Sequence, residues 1–394
     1  MPGCPPPLPG GAKYAILKPG RGENAASDYE NRSFSGKDLI MKTKEKRGPV
    51  LSTDYTEGAH PSVMRALISS NSESVPGYGH DAYCETAAAR IRRVCRAPKA
   101  EVYFLVGGTQ TNALTLDALL KPYEGVLSAE SGHIANHESG AVEFTGHKVL
   151  TLPAENGKIT GESIRNWCRR FYADESYEHM VFPGVVYLSQ PTEFGTLYSL
   201  EELSRIREAA DEFGLKIYAD GARLAYALAA PENDVTLRDL ARLCDAFYIG
   251  GTKCGTLFGE ALVFPRPGLV PHFITLEKQH GAMLAKGRLL GVQFGRLFTR
   301  DLYGEIGRHA IAMAALLREG LKAAGFEEAV PSPTNQIFVK VPAETYRRLQ
   351  EANVGGFWSY EPDGSVLVRF VTSWATRPEA VETALSVLKE SQDV

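Results

Sequence analysis

The sequence contains little of what secreted, thiolate-metal or membrane-spanning proteins require. Its 394 residues include six cysteines that are scattered and form no CxxC pair, so neither a disulfide framework nor a thiolate zinc site is indicated. No apolar run approaches the roughly 20 residues that cross a bilayer. The chain does not open with a basic segment and an apolar core, as a secretory signal would. We therefore expect a cytoplasmic protein with reduced thiols and no membrane partner.

The chain also lacks a strong charge of either sign. Lys and Arg number 43 and Asp and Glu 47, for a net charge of −4, which gives no electrostatic basis for binding nucleic acid or an anionic membrane. Hydrophobic residues make up 44% and charged residues 23%, as in ordinary soluble enzymes. The expected partner is a small molecule.

The first forty residues differ in composition from the rest of the chain. Residues 1–10 are rich in proline and glycine, and residues 11–39 show little helical or strand periodicity. A charged stretch follows Met41. We predict a disordered extension over residues 1–48, and the sequence leaves open whether residues 1–40 belong to the native protein.

Short β-rich runs alternate with amphipathic helical segments from about residue 100. This alternation predicts an α/β fold whose mostly parallel sheet is covered on both faces. Ser199 and Glu202 form a capping box that predicts the start of one of the helices. The predicted strands are residues 102–106, 126–128, 149–152, 185–189, 215–220, 246–249 and 261–264.

The pattern changes after about residue 300 and predicts a smaller α+β domain. Its predicted helices are residues 310–324, 346–352 and 378–389, and its predicted strands are residues 336–341 and 366–371. Thr376 is the predicted N-cap of the last helix. We therefore predict a large domain over residues 49–303 and a small C-terminal domain over residues 304–394.

Two residues at strand ends suit one cofactor. Lys253 lies in a glycine-rich turn after an apolar run, where an amine among small residues can lose hydration and become nucleophilic near neutral pH. Asp220 ends another predicted strand. A carboxylate that keeps a pyridine nitrogen protonated and an amine that forms a Schiff base are what pyridoxal phosphate requires. A surface lysine and a helix-capping aspartate would explain each residue alone, but the pair favours the cofactor.

The glycine-rich turn Gly107-Gly108-Thr109 leaves one predicted strand and enters a helix. Its backbone N–H groups and the helix N-terminus would face an anion, and a phosphate fits there. The turn matches neither the dinucleotide-binding nor the P-loop pattern. A plain glycine-rich turn is the alternative interpretation.

His133 and His137 are four residues apart and are followed by Glu138. A zinc site, and with it a metal-dependent hydrolase, is one interpretation. However, the order is HxxxHE rather than HExxH, and no further cluster at metal-ligand spacing completes a coordination sphere. We expect no metal site, a His133 ring that stacks on the cofactor ring, and a His137 on the helix surface.

Arg369 lies alone within the apolar strand predicted over residues 366–371. Burying an arginine is costly unless the guanidinium is paired. Bidentate capture of a substrate carboxylate would explain it, and so would a structural salt bridge. The sequence leaves both open.

Taken together, these motifs resemble the low-specificity L-threonine aldolases, in the β-eliminating lyase group of fold-type I pyridoxal-phosphate enzymes. The resemblance runs from about residue 51 to the C-terminus. The motifs that carry it are Tyr78-Gly79-His80-Asp81, Gly107-Gly108-Thr109, Ser131-Gly132-His133-Ile134, Asp220-Gly221-Ala222-Arg223, Gly251-Thr252-Lys253 and Val368-Arg369-Phe370-Val371-Thr372.

The resemblance implies an aspartate aminotransferase-like large domain, pyridoxal 5'-phosphate as cofactor, and a lyase that cleaves L-threonine or L-allo-threonine to glycine and acetaldehyde. A β-eliminating lyase or an aminotransferase acting on another amino acid is the alternative. The resemblance also implies shared active sites in a homodimer or homotetramer.

The same resemblance implies roles for individual residues. Lys253 and His133 are the expected catalytic residues. The expected cofactor contacts are Lys253 through its Schiff base, Asp220 at the pyridine nitrogen, Arg223 at the ring hydroxyl, Gly108 and Thr109 at the phosphate, His133 on the ring face and Lys286 at the phosphate of a neighbouring subunit. The expected substrate-carboxylate contacts are Ser52 and Arg369.

Two departures from the family pattern matter. His80 stands where many members have an acidic residue. Gln190-Pro191-Thr192-Glu193 replaces an Asn-Thr-His-Asn stretch that carries a commonly proposed catalytic histidine. The base for the substrate hydroxyl is therefore left open among His133, Glu138 and a bound water.

Overall fold

A computed structural model describes residues 50–391, which belong to one compact unit. The extension predicted over residues 1–48 lies outside the described residues. The helices in this range are α1 Pro61–Ser70, α2 Ala82–Val94, α3 Gly108–Leu119, α4 His133–Asn136, α5 Ala141–Phe144, α6 Gly161–Ala173, α7 Leu200–Glu212, α8 Leu224–Ala229, α9 Leu237–Leu243, α10 Phe273–Gln279, α11 Arg288–Leu297, α12 Leu302–Ala323, α13 Ala343–Glu351 and α14 Pro378–Glu390. The strands are β1 Glu101–Leu105, β2 Glu124–Ala129, β3 Val149–Leu152, β4 Phe182–Ser189, β5 Lys216–Asp220, β6 Ala246–Gly250, β7 Glu260–Phe264, β8 Gln336–Val341, β9 Gly356–Tyr360 and β10 Val366–Val371.

The large sheet has the strand order β1-β7-β6-β5-β4-β2-β3. Strand β7 runs antiparallel to β1 and β6, and the other neighbouring strands are parallel. The predicted mostly parallel sheet is therefore confirmed. Strands β1, β4, β5 and β6 end at the same edge, so the loops that follow them meet there.

The strands of this sheet are buried on both faces because successive side chains enter two different cores. Along β4, Val186 and Leu188 pack into a core that helices α6 to α9 cover. Val185 and Tyr187, which point the other way, pack into a core with residues of α3, α4, α5 and α10. Burial on both faces explains why these strands appear in the sequence as continuous apolar runs.

Helix α7 begins with the predicted capping box. Ser199 Oγ accepts a hydrogen bond from Glu202 N at 3.1 Å, and Glu202 Oε2 accepts one from Ser199 N at 2.8 Å. The helix ends before Gly214, whose φ of 69° is a left-handed value that glycine adopts without strain. The helix thus connects β4 to β5 and delivers Asp220 to the carboxyl edge of the sheet.

A three-stranded antiparallel sheet with the order β8-β10-β9 forms a second layer with helices α12 to α14. The predicted smaller α+β region is thus present, and the boundary between residues 303 and 304 stays a prediction. One local prediction needs correction, and one strand was missed. Strand β9 was not predicted, and Arg377 rather than Thr376 is the N-cap of α14, because Thr376 Oγ1 accepts a hydrogen bond from Ser373 N.

The first described residues attach to this small sheet. Val50 pairs with Val354 in a parallel bridge, and Leu51 O accepts a hydrogen bond from Val371 N at 2.8 Å. Residues 52–55 continue from this attachment toward the large sheet. Among residues 50–391, no helix combines the length and apolarity that a membrane crossing needs.

Replacing Ser199 with alanine should lower the free energy of unfolding by about 1 kcal/mol, because Glu202 N and the first turn of α7 lose their acceptor. Urea unfolding followed by circular dichroism would measure the change. Ser204→Ala is the matched control. Ser204 Oγ donates to Leu200 O within the helix, so its loss should change the free energy by no more than about 0.5 kcal/mol. Equal losses in the two variants would contradict a specific capping effect.

Candidate active site

A cavity of about 230 Å³ opens where the loops after β1, β4, β5 and β6 meet. Side chains of opposite charge border it, including acids from four different segments of the chain. The lining residues with ionisable side chains are Tyr55, His133, Glu138, Glu193, Asp220, Arg223, Tyr248, Lys253 and Glu260. A pocket at a sheet edge that contains many ionisable groups is a candidate active site.

Most of the site residues predicted from the sequence come together here. Those that border the cavity are Gly108, Thr109, His133, Asp220, Arg223 and Lys253. Ser52, Lys286 and Arg369 do not border it. Ser52 lies in the segment before α1, and Lys286 lies in an exposed loop before α11. Arg369 lies in β10.

Asp220 lies at the centre of a buried hydrogen-bond network. Its Oδ1 accepts from Tyr248 Oη at 2.5 Å and from Ala222 N at 2.9 Å, and its Oδ2 accepts from Tyr187 Oη at 2.7 Å and Asn112 Nδ2 at 3.0 Å. Burial alone would raise the pKa of this carboxyl, but the charge of His133 and these donors outweigh it and lower the pKa below its ordinary value. Asp220 is therefore an anion at neutral pH.

His133 is held by the segment that follows it. Its Nδ1 lies 2.7 Å from Glu138 Oε1, which also accepts from Asn112 Nδ2 at 2.7 Å. Since Asn112 donates to Asp220 as well, one amide group joins the histidine and aspartate networks. The Glu138 side chain is fully buried, and its Oε2 has no hydrogen-bonding partner in the described residues. This leaves an acceptor position beside the imidazole.

Lys253 supplies the only primary amine that borders the cavity in the described part of the chain. Among residues 50–391 its Nζ forms no hydrogen bond or salt bridge. Burial and the charge of Arg223 lower its pKa, although the charges of Asp54 and Asp220 oppose the change. A lowered pKa increases the fraction of neutral, nucleophilic amine at a given pH.

Arg223 is fixed by a residue far away in the sequence. Its Nε and Nη2 donate to the two carboxylate oxygens of Asp54 at 2.6 and 3.0 Å, and Asn335 Nδ2 donates to the same carboxylate at 3.1 Å. Burial would lower the pKa of Arg223, but the Asp54 carboxylate raises it overall. No sequence pattern indicates the role of Asp54, because 169 residues separate the partners.

The predicted anion site takes the form of a helix N-terminus. Helix α3 begins at Gly108, and Gly107 before it provides no side-chain cap. The first N–H groups of a helix have no intrahelical acceptor, so those of the first turn remain available to an anion. A side chain at Gly108 would meet Tyr248 Oη at 3.2 Å, which favours glycine at this close approach.

Arg369 is partly buried and has no acid partner among residues 50–391. Its Nη1 donates to Gln336 Oε1 at 3.2 Å, and its guanidinium lies 5.1 Å from the centre of the Trp358 ring. Its Nε is buried with no partner in the described residues. Burial and the charge of Arg223 lower its pKa to about 10. No carboxylate within residues 50–391 forms a salt bridge with it, so the structural salt bridge considered above does not occur there.

Ser52 and Lys286 lie outside the group that borders the cavity. Ser52 is partly buried, and its carbonyl oxygen lies against Gly356 of β9. Lys286 is exposed, and the neighbouring Ala285 O accepts a hydrogen bond from Tyr78 N at 3.0 Å. A role for either residue in this site stays a prediction.

Two acids in the cavity were not assigned a function from the sequence. Glu193 follows β4, and Glu260 begins β7. Glu260 Oε2 accepts from Gly251 N at 2.9 Å, and burial raises the pKa of Glu260 to about 8. A charged residue at the start of an otherwise apolar strand was the available signal for Glu260. The departure from the family pattern was the signal for Glu193.

The arrangement of the histidines differs from that of a metal site. Helix α4 has only four residues, and His137 is its exposed C-cap. The rings of His133 and His137 lie 5.7 Å apart at an angle of 50°. In residues 50–391 no three His, Cys, Asp or Glu side chains are grouped so as to hold a metal ion.

The donor set fits pyridoxal phosphate. A nucleophilic amine, an ionised strand-end carboxylate and an uncapped helix N-terminus border one cavity. The family model of the β-eliminating lyases matches residues 51–344, which is most of the chain. The chain belongs to the β-eliminating lyase family.

Two relatives of this β-eliminating lyase extend over most of the chain. A low-specificity L-threonine aldolase of Pseudomonas aeruginosa is 31% identical over 332 residues, covering 84% of this chain and 94% of the relative. A solved threonine aldolase structure from Leishmania major has 42% identity and a TM-score of 0.82, and the match covers 86% of this chain and 98% of the other.

A more distant neighbour identifies the fold. An aspartate aminotransferase of Thermus thermophilus matches 87% of this chain and 92% of its own with a TM-score of 0.65 at 18% identity. The large domain is therefore the fold-type I, aspartate aminotransferase-like domain that the sequence predicted. The fold, the family and the donor set together show that this β-eliminating lyase is a pyridoxal-phosphate enzyme.

Glu260→Gln should reduce the loss of stability between pH 5 and pH 8. The pKa of Glu260 is about 8 in the folded chain against an ordinary 4.5, so in this window the folded state keeps a proton that the unfolded state has lost. Stability from Glu260 is therefore full below pH 4.5 and lost as pH rises through 8. Glutamine should flatten this decline by more than about 1 kcal/mol in urea unfolding of the cofactor-free protein.

Glu201→Gln, on the exposed side of α7, is the control for that experiment. It should leave the pH dependence of stability unchanged. Equal pH profiles for Glu260→Gln and the unmodified protein would contradict the raised pKa of Glu260.

Lys253→Ala should leave the protein folded but remove the visible absorbance band of the bound cofactor, because no other amine of the described cavity can bond to the cofactor aldehyde. Circular dichroism and an absorbance spectrum with added pyridoxal phosphate would measure the two properties. Lys216→Ala, at the opposite end of β5, should keep the band. A band of normal intensity in Lys253→Ala that disappears on borohydride reduction would contradict the assignment.

Proposed function

We propose that this enzyme cleaves L-threonine and L-allo-threonine to glycine and acetaldehyde. The observation that carries the proposal is the unpartnered amine of Lys253, which lies within the electrostatic reach of Asp220 and of the paired Asp54 and Arg223. The low-specificity L-threonine aldolases at 31% identity support the substrate class.

The residues at the cavity divide the work of holding the cofactor. When bound, pyridoxal phosphate supplies an electron sink for the charge left at Cα as a bond to it breaks. In this proposal Lys253 would bond the cofactor aldehyde, and Asp220, kept ionised by its donors, would keep the pyridine nitrogen protonated. Arg223 would contact the ring hydroxyl, and the His133 imidazole would stack on the ring. The first turn of α3, with Gly108 and Thr109, takes the phosphate.

Arg369 and Ser52 bind the substrate carboxylate in this proposal. The support for Arg369 is a partly buried guanidinium whose buried Nε has no hydrogen-bonding partner and which has no acid partner in residues 50–391. A carboxylate would satisfy this guanidinium and offset the cost of its burial. Fixing the carboxylate also fixes the orientation of the substrate, which decides the bond to Cα that breaks.

We also propose that the enzyme is a homodimer or homotetramer of the cytoplasm. Lys286 is exposed and does not border the cavity of its own chain. An exposed lysine in this loop suits the role implied by the family resemblance, in which it reaches the phosphate held by a neighbouring subunit. Analytical ultracentrifugation of the enzyme with its cofactor would measure the assembly.

Product analysis tests the proposed reaction. The purified enzyme would be incubated separately with L-threonine, L-allo-threonine, L-serine and an aromatic β-hydroxy amino acid, and the products separated. An aldolase yields glycine and an aldehyde in equal amounts. A 2-oxo acid with ammonia would establish β-elimination instead, and transfer of the amino group to an added 2-oxo acid would establish an aminotransferase.

Arg369→Lys should lower kcat/KM for threonine by about two orders of magnitude, because lysine keeps the charge but loses the planar fork that grips a carboxylate. The cofactor spectrum and Tm should stay close to those of the unmodified enzyme. Steady-state kinetics and thermal unfolding on one preparation measure both.

Arg318→Lys is the matched control in the same region. Arg318 donates to Glu328, Ser332 O and Thr334 O, so its replacement should lower Tm and leave kcat/KM nearly intact. If Arg369→Lys behaved as this control is expected to, Arg369 would have a structural role and no contact with the substrate.

A further inference from the structure

We propose that Glu193 is the base that takes the β-hydroxyl proton of the substrate. The inference rests on the aldol cleavage proposed above and adds the residue that performs its first proton transfer. It also accounts for the absence of a histidine from the segment Gln190-Pro191-Thr192-Glu193.

The Glu193 carboxylate borders the cavity and is held in place by two donors. The residue is 9% exposed. Its Oε1 accepts from His133 N at 2.9 Å and from Ser189 Oγ at 2.7 Å. No Lys, Arg or His side chain of residues 50–391 forms a salt bridge with it. A fixed carboxylate without a cation is free to accept a proton.

Its segment lies on the side of the cavity toward Arg369. Gln336 joins the two, because its Nε2 donates to Thr192 O at 3.3 Å and its Oε1 accepts from Arg369 Nη1 at 3.2 Å. Glu193 is therefore adjacent in sequence to Thr192, which Gln336 connects to Arg369. Its carboxylate also accepts a hydrogen bond from His133 N.

A tight turn keeps the carboxylate in this position. Gly195 N donates to Thr192 O and Thr192 N donates to Thr196 O, which closes the turn around Glu193. Gly195 has a φ of 75°, and a side chain there would meet Ser332 Oγ at 2.3 Å. The turn thus requires glycine and packs directly against the small domain.

The other acids of the cavity are less suited to this step. Asp220 is surrounded by donors that lower its pKa, and Glu138 binds the His133 ring and Asn112. Glu260 lies on β7, accepts from the backbone of Gly251 and interacts electrostatically with Lys253.

Thr192, the residue before Glu193, is not suited to this step. Its hydroxyl is shared with Thr196 Oγ1 at 2.7 Å and lies 3.4 Å from Asn156 O. A threonine hydroxyl is also too weak a base to take a proton from another alcohol. The adjacent carboxylate is the group that suits the task.

The protonation behaviour of Glu193 agrees with this role. Burial raises its pKa above the ordinary value, although the hydrogen bonds from Ser189 and His133 N oppose the rise. A general base works best when its pKa is closer to the working pH than that of a free carboxylate.

The step balances without another reactant. The Glu193 carboxylate takes the β-hydroxyl proton, the O–H electron pair becomes the C=O bond of acetaldehyde, and the Cα–Cβ bond breaks. The electron pair of that bond passes to Cα, which takes up one proton to give glycine. Release of its proton restores Glu193.

The test separates proton removal at the hydroxyl from chemistry at Cα. Glu193→Gln should lower kcat/KM for threonine cleavage by about 10²- to 10³-fold. The cofactor absorbance and the exchange of glycine Cα protons with deuterium, followed by NMR, should stay within about threefold of the unmodified enzyme, since glycine has no hydroxyl to deprotonate. Glu193→Asp should recover part of the cleavage, because it keeps a carboxylate. Glutamine can still accept both hydrogen bonds, so the fold should persist.

Glu277→Gln is the matched control. Glu277 is a buried acid of α10 whose pKa burial raises to about 7, and it does not border this cavity. Its variant should cleave threonine at nearly the unmodified rate. Cleavage by Glu193→Gln within about threefold of the unmodified enzyme would overturn the proposal. So would a parallel loss of exchange and cofactor absorbance, which would mean that Glu193 supports cofactor binding. An unmodified enzyme that exchanges glycine protons but releases no aldehyde would instead refute the aldolase function.

Discussion

The ionised state of Asp220 is the constraint on which the site depends. A carboxylate buried at the end of β5 is costly unless donors replace water, and four donors do so, from Tyr187, Tyr248, Asn112 and the backbone of Ala222. They come from strands β4 and β6, helix α3 and the loop after β5. The charge of this one group therefore requires that the large sheet and helix α3 be assembled in register.

Much of this arrangement was predictable because it is local in the sequence. Parallel strands buried on both faces appear as apolar runs, and the residues that follow them must meet at one edge. This is why Gly108, Asp220 and Lys253 could be placed together. Arg369 was recognisable as a charge in an apolar strand. The capping box of α7 was predictable because its two partners are three residues apart.

The features that were missed depend on contacts between distant segments. Nothing near Arg223 indicates that Asp54 holds it, because that pairing exists only after the chain has folded. Strand β9 contains a glycine and exposed aromatic side chains and has no period-two pattern, and its pairing with β10 defines it. Thr376 has the right chemistry for a cap, but its hydroxyl accepts from Ser373 N instead. The position of Glu193 at the cavity likewise depends on a contact with a distant segment, the hydrogen bond from His133 N.

The attachment of residues 50 and 51 to the small sheet sets an order for folding during synthesis. Val50 forms a β-bridge with Val354, and Leu51 O accepts a hydrogen bond from Val371 N. Asp54 is therefore positioned only after the last strand has left the ribosome. Until then Arg223 lacks its partner. Domains usually fold as units from the N-terminus during translation, but the cavity of this chain requires its first described residues and its last strand together. A nascent chain that stops before β10 therefore carries Lys253 without the Asp54–Arg223 pair beside it, and the cavity becomes complete only after β10 has been made.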